Sequence, residues 1–393
     1  MNEQMIKTKK RAVQDAIDKL SPQLIELAEM IHKHPETQFA EVMSSQWLSE
    51  AAAEAGFKVE KPIGGLETAF RATYIGSEEG PTVAFLAEYD ALPKLGHACG
   101  HNLIGTASLG AALGIVKGMR EFPGTIQLIG TPGEEGGGGK VILTEAGVFD
   151  TVNVAMMFHP SGQTVLWKHA LARRKLSIEF FGKSSHAAGS PDKGINALEA
   201  TLQTFNAINA LREHTVDSAR IHGIITDGGA APNIVPDHSA ALFYVRAMDD
   251  DYCNELLEKV KDCARGAAMA TGAKVKMEMQ GSYKSLKTNM PLARAFKENL
   301  KALGWEFDDV DPKERIGSTD LGDVSHIVPA IHPYLSIGPD DLAGHSTEFV
   351  EAANSEKGKE AMLTAAKAMA MTAIDILLLP SLLAAIKGEF AGR

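Results

Sequence analysis

At 393 residues the chain exceeds the roughly 250–300 that one hydrophobic core usually serves, so a large domain with a smaller companion is expected. Apolar residues at 45% and charged residues at 23% are ordinary for a globular protein, and no apolar run is read as approaching the roughly 18–20 residues of a membrane helix. With 39 basic against 50 acidic residues the formal charge is −11, which repels phosphate backbones, excludes nucleic acid as the main partner and leaves small molecules as the expected ligands.

The chain opens in helical spacing, with Val13, Ile17, Leu20, Leu24, Leu27 and Ile31 three or four residues apart, and residues 41–55 continue in the same style until Gly56. After Gly80 and Pro81 the texture changes to short apolar runs, TVAFLAEYD, TIQLIGTPGEE and VNVAMMFHP, each bounded by Gly, Pro or acidic residues. The first two flank the small-residue helix NLIGTASLGAALGIVKGM, and the second and third flank GKVILTEAGV. Strand, helix, strand, helix, strand is the order of a doubly wound α/β sheet. From Arg173 the pattern becomes KLSIEFFG, the helix ALEATLQTFNAINALREH, RIHGIITDGG, SAALFYVRA, a helix over 251–270, and KVKMEMQGSY. This predicts an inserted α+β domain, ferredoxin-like, over 173–285, with 1–172 and 286–393 forming the sheet domain around it. The latter resumes with a helix over 291–303, the loop GSTDLGDVS, the strand PYLSIG and a long Ala/Met/Leu-rich helix after Glu356.

Groups able to carry chemistry follow the predicted strands. Cys99 and His101 lie after the strand ending at Asp90, Glu134 and Glu135 after TIQLIG, His159 after VAMMF, and His345 after PYLSIG. In open α/β sheets ligands bind outside the carboxyl ends of the strands, so these residues are expected to share one cleft. Singly each has a plain reading: Cys99 as a small buried hydrophobe, the histidines as loop residues, the glutamates as a solvated pair. Together a thiolate, imidazoles and a carboxylate are soft and borderline donors that suit zinc, manganese or cobalt better than magnesium or calcium. Five donors exceed the needs of one catalytic ion, which must keep a position open. Cys99, His101, Glu135, His159 and His345 are therefore expected to hold two divalent ions with a shared water. Adjacent side chains point differently, so Glu135 is assigned to the metal and Glu134 to proton transfer. Gly136 to Gly139 would let the backbone approach a substrate closely.

The strings HPETQFAE, EYDALP, GHACGHN, TPGEEGGGG, the Ser185-His186-Ala187-Ala188 segment, APNIVP, GSTDLGDVS and GHST resemble, in order and over about residues 15–380, the aminoacylase and glutamate-carboxypeptidase metallopeptidases. The cysteine in GHACGH is similar to the amidohydrolase branch, which includes auxin-conjugate, N-acyl-amino-acid and p-aminobenzoyl-glutamate hydrolases; GSTDLGDVS looks most like the last of these and the β-alanyl dipeptidases. The resemblance implies the same five ligands with Glu134 as general base. It also implies that the inserted domain is a lid and dimerisation domain, that His186 reaches into a partner's cleft to stabilise the oxyanion, and that Asn233 and Arg246 hold the substrate's free carboxylate. One position departs from the wider pattern: Glu88 stands where that group carries a histidine ligand, two residues before Asp90. Asp90 is therefore expected to orient a ligand rather than bind metal, and His97 ranks below His101 as a donor.

The expectation is a cytosolic homodimeric two-metal amidohydrolase or peptidase. It would cleave the amide between an acyl or aminoacyl group and an amino acid with a free carboxylate. The cytosolic expectation rests on three cysteines, too few for a disulfide framework, and on a basic amino-terminal segment with no apolar stretch after it. The alternative is a catalytically silent metal-binding homologue acting as a subunit or sensor; its hallmark would be a missing base or ligand, and none is missing.

Overall fold

A computed structural model describes residues 3–119, 121–313 and 316–392. The chain forms two compact units. One comprises Met1–Lys168, Lys287–Ile316 and Asp323–Arg393, and the other His169–Leu286 with Gly317–Gly322.

The first unit opens with α1 (Glu3–Lys33), which buries Ile6, Val13, Ile17, Leu20, Leu24, Ala28 and Ile31 along one stripe. It begins ten residues before Val13, where the apolar pattern starts, because its first turns are charged and bury Ile6 alone. Next come α2 (Val42–Glu54), β1 (Lys58–Glu60), β2 (Phe70–Ile75), β3 (Glu78–Ala87), α3 (His101–Gly118), β4 (Pro123–Gly130), α4 (Gly139–Glu145), β5 (Val154–Met156) and β6 (His159–Ser161).

The second unit runs β7 (Ala172–Phe181), α5 (Ala197–Leu211), β8 (Arg220–Asp227), β9 (His238–Ala247), α6 (Asp250–Thr271) and β10 (Lys274–Tyr283). This β-α-β-β-α-β order gives an antiparallel sheet in the spatial order β10-β7-β9-β8. Strand β9 alternates strictly, burying Ser239, Ala241, Phe243, Val245 and Ala247. That face packs with Leu176, Ile178 and Phe180 of β7 against Ile208 of α5 and Leu256 and Val260 of α6. Asn196 and Asp249 cap α5 and α6 by accepting the backbone N–H of Glu199 and Tyr252, and Gly272 ends α6 in the left-handed conformation.

The remaining elements are α7 (Met290–Ala302), α8 (Leu321–Ser325), β11 (Ala330–Ile331), β12 (Tyr334–Ser336), α9 (Thr347–Ala352), α10 (Glu356–Leu378) and α11 (Pro380–Ala391). The six-stranded sheet has the order β1-β2-β4-β3-β5-β11. Strands β4, β3, β5 and β11 are parallel, while β2 and β1 extend the sheet antiparallel. PYLSIG is a strand in part, but it pairs with β6 in a separate two-stranded ribbon. The sheet's edge is Ala330–Ile331, too short for an apolar run to announce it.

Helices α1, α3 and α10 pack on one another. Gly110, Gly114 and Gly118 recur four apart on α3 and lie against α1. A Cβ at Gly114 would collide with the Ile17 side chain, and one at Gly118 would stand 2.8 Å from the Val13 backbone. Helix α10 corrects the composition reading, since it is long and apolar enough to cross a membrane by length and composition alone. However, 78% of its apolar window is buried inside the fold, which marks it as a core helix.

Candidate metal centre

Parallel register brings the carboxyl ends of three strands level: Ala87 of β3 pairs with Gly130 of β4, and Phe85 of β3 with Met156 of β5. Each strand then releases its functional segment at that rim. Glu88, Tyr89 and Asp90 follow β3, residues 131–135 follow β4, and His159 lies three residues past β5. Two backbone details draw the loops together. Gly100 is left-handed at φ 74°, and a Cβ there would stand 2.5 Å from Pro160, so glycine lets the Cys99–His101 turn touch the residue beside His159. His345 is itself left-handed at φ 60°, and its N–H donates to the Ala98 carbonyl at 2.9 Å, which fixes it beside Cys99.

The donor atoms converge. Cys99, His101 and His159 form one set, Cys99, Glu135 and His345 another, and His101, Glu134 and Glu135 a third, with the ligand atoms of each set within 4.8 Å of one another. Cys99 Sγ lies 3.5 Å from His159 Nε2, and His345 Nε2 lies 3.2 Å from Glu135 Oε1. Hydrogen bonds behind the donors set their chemistry. His101 Nδ1 pairs with Asp90 Oδ1 at 2.9 Å and His159 Nδ1 donates to the Pro160 carbonyl at 2.6 Å, so each ring keeps Nε2 for the centre. Asp90 Oδ2 accepts the Glu135 N–H at 2.9 Å. His101 Nε2 and Glu135 Oε1 are buried without a well-formed hydrogen bond, meeting only Glu88 Oε2 at 3.5 Å and His345 Nε2 at 3.2 Å, an arrangement that a bound cation would complete. Burial works against a charged His101, yet Asp90 and Glu88 outweigh it and hold this imidazole far above its usual range. The cluster thus demands positive charge. Burial, helped by the charge of His101 and only partly opposed by Glu88, pulls His159 down to about 4, which keeps it a neutral ligand near neutral pH. The donor types, the orphaned atoms and the charge demand all fit divalent ions.

Residues 84–368 match peptidase family M20/M25/M40. The chain belongs to this family. Over 97% of the chain and 92% of the relative, it is 40% identical to a mouse protein named Xaa-Arg dipeptidase. It is 29% identical, over 94% and 92%, to one of the subunits of p-aminobenzoyl-glutamate hydrolase from Escherichia coli. Among solved structures, a dinuclear metal-binding M20 peptidase from Bacillus subtilis superimposes with a TM-score of 0.70 over 92% of this chain and 99% of its own, at 22% identity. The chain is therefore an M20 hydrolase of the amidohydrolase and peptidase type, with the mixed α/β M20 fold.

Other residues around the centre fall where sequence reasoning did not put them. The carboxylates of Glu134 and Glu135 both reach His101, so adjacency does not keep them apart as expected. His97 joins none of the donor sets; its Nε2 faces the Ile31 carbonyl at 3.1 Å, and burial pulls it down to about 3. Glu88 is buried, with Oε1 2.5 Å from Lys140 Nζ and Oε2 3.5 Å from His101 Nε2. His332, directly after β11, is buried with its ring 5.3 Å from that of His159. The shortness of β11 hid it. Glu41 is also fully buried; its Oε1 accepts the Gly133 N–H at 2.9 Å and its Oε2 accepts the Thr68 hydroxyl at 3.0 Å. Phe39, held at φ 62°, lays its ring on Gly133 and Gly137, where a Cβ would stand 2.7 and 2.6 Å from it. Glu41, Phe39 and Asp90 thus brace the loop carrying Glu134 and Glu135.

In the second unit His186 and Asn233 are exposed on adjacent segments, joined by an Ala187 N–H to Asn233 carbonyl bond of 3.0 Å. His186 Nδ1 accepts from the N–H groups of Ala188 and Gly189 at 3.2 and 2.9 Å, which leaves the proton for Nε2. Arg246 is half-buried on β9.

Proposed function

We propose that the chain is a two-metal hydrolase of N-acyl amino acids or dipeptides with a free carboxylate, with Cys99, His101, Glu135, His159 and His345 as metal ligands. The observation that carries the reading is the convergence of five donors and Glu134 on the orphaned, cation-demanding His101. Two divalent ions bound there would polarise the scissile carbonyl and make a water acidic enough to attack near neutral pH. Glu134 takes the proton of the attacking water and passes it to the leaving amine. Asp90 orients His101 and anchors the Glu135 backbone, while Glu41 and Phe39 hold the same loop from its other side. The sulfur and imidazole donors favour zinc, with manganese and cobalt as the other candidates.

In the same reading the second unit is a lid and dimerisation domain. His186 Nε2–H donates to the negative charge developing on the carbonyl oxygen in the partner's cleft, and Asn233 and Arg246 grip the free carboxylate. The edge strand β8, with Ile224 and Ile225 exposed, is a candidate pairing surface for a second copy.

The relatives' names put dipeptides and acyl-amino acids first in any screen. Metal analysis followed by hydrolysis assays on N-acetyl amino acids, β-alanyl dipeptides and p-aminobenzoyl-glutamate tests the reading. About two ions per chain and turnover of at least one class are expected; a protein that binds no divalent ion, or cleaves none of the three when loaded, defeats it. Light scattering at micromolar concentration tests the dimer.

A further inference from the structure

The rim of the six-stranded sheet holds a buried ion pair that the five proposed ligands leave unused. Glu88, the first residue past β3, is 1% exposed, and Lys140, in the first turn of α4, is fully buried. Glu88 Oε1 and Lys140 Nζ stand 2.5 Å apart. The lysine reaches this depth because of the glycines before it. Gly138 is left-handed at φ 73°, and a Cβ at Gly139 would overlap the Pro132 carbonyl, so the start of α4 lies directly against the segment that follows β4. Two charges taken so far from water add little stability, since the cost of desolvating them offsets their attraction. Their effect is on placement: with Oε1 held by Lys140, the other oxygen of Glu88 is turned toward His101.

The two atoms that meet there are both unsatisfied. Glu88 Oε2 lies 3.5 Å from His101 Nε2, beyond the roughly 3.2 Å limit of a hydrogen bond, and among the described residues neither atom has a hydrogen-bond partner. His101 Nδ1 is taken by Asp90 Oδ1 at 2.9 Å, so an imidazole that gives its N–H to Asp90 turns the lone pair of Nε2 toward the lone pairs of the Glu88 carboxylate. Two acceptors facing each other out of reach of water call for a cation between them. The spacing suits one: a nitrogen and an oxygen bound to the same tetrahedral zinc at about 2.0–2.2 Å stand roughly 3.4 Å apart. Cys99 Sγ and His159 Nε2, a pair already assigned to the centre, show the same 3.5 Å separation. Glu134 adds a second carboxylate oxygen within 4.8 Å of one from Glu88, which raises the demand for positive charge further.

Resting on the two-metal reading above, we propose that Glu88 is a sixth protein ligand, its Oε2 binding the ion that His101 Nε2 binds, and that Lys140 is the residue that positions it. Glu88 then ties β3 to the centre directly, where Asp90 does so only through His101 and the Glu135 backbone.

Titration of the metal-free protein with zinc against a competing chelator, and with cobalt followed by its visible absorption, tests the assignment. Wild type should take up two ions. Glu88→Gln should weaken one of them by at least about a hundredfold, leave the other unchanged and alter the cobalt bands, which depend on the ligands around the ion. The double variant Glu88→Gln with Lys140→Met removes both buried charges together, sparing the fold an unpaired one, and should lose the same ion. Lys140→Met alone keeps the carboxylate without its anchor and should weaken that ion about tenfold; wild-type affinity there removes Lys140 from the proposal. A folded Glu88→Gln protein with wild-type affinities and cobalt bands overturns the inference and leaves the two-metal reading standing. Equal weakening of both ions points to the fold instead of a ligand and also counts against it. Should Glu88→Gln not fold, the double variant decides, and tight binding of both ions by that protein overturns the proposal. A wild type that binds no ion defeats both readings.

Discussion

At the scale of single residues, the centre separates donors from the group that moves protons. Glu134→Gln removes a base without removing any of the five proposed ligands, so metal content should stay at the wild-type level while kcat falls about 10²–10⁴-fold. Elemental analysis beside steady-state rates reads both; unchanged kcat would remove Glu134 from the mechanism. Glu41 gives a pH-dependent prediction. Burial, then the charge of Asp90, raises its carboxyl to about 7. A carboxyl raised on folding binds its proton more tightly in the native state, so stability is full below the unfolded value near 4.3 and is lost as pH rises toward 7. In denaturant melts of metal-free protein, Glu41→Gln should match wild type at pH 5 and exceed it by a few kcal/mol at pH 8. Parallel stability profiles for the two proteins would show that Glu41 is not raised. The donors themselves were legible because each carries distinctive chemistry and follows a recognisable apolar run. Glu41 and Phe39 were not, since a buried glutamate and a left-handed phenylalanine look in sequence like surface loop residues.

Among elements, contact between α1 and α3 depends on absent side chains. Gly114→Val would drive a Cβ into Ile17, and overpacking of this kind costs about 1–3 kcal/mol. Gly266, inside α6, has open space around its missing Cβ, so Gly266→Ala should instead stabilise by about 0.5–1 kcal/mol. Opposite shifts in thermal midpoint would confirm the contrast, and equal shifts would contradict it. Long elements with strong periodicity, such as α5, α6 and β9, could be read almost to their ends. Short elements without such a pattern could not. The antiparallel pair β1 and β2 lies among polar residues. The two-residue β11 has no run to detect, and its place was given to PYLSIG. Helix α10 was read as a helix, and only its membrane-like composition was missed, because Lys367 and Asp375 interrupt the apolar letters.

For the molecule as a whole, the donors of one compact unit come from segments as distant as Cys99 and His345, so bound ions would tie the ends of a long stretch of chain together. Chelation should therefore lower the thermal midpoint as well as abolish activity. Restoring a divalent ion at a hundred times its Kd should return about 2.7 kcal/mol. A midpoint indifferent to chelator would mean that the ions are not held by this scaffold.

Cys99 belongs to two donor sets at once. If both are filled, a single sulfur anchors the whole inorganic complement, and oxygenation of that atom by peroxide would evict the pair together instead of halving it. Cellular oxidants would then switch the enzyme off through one atom, and the ions released would protect no intermediate, half-working form.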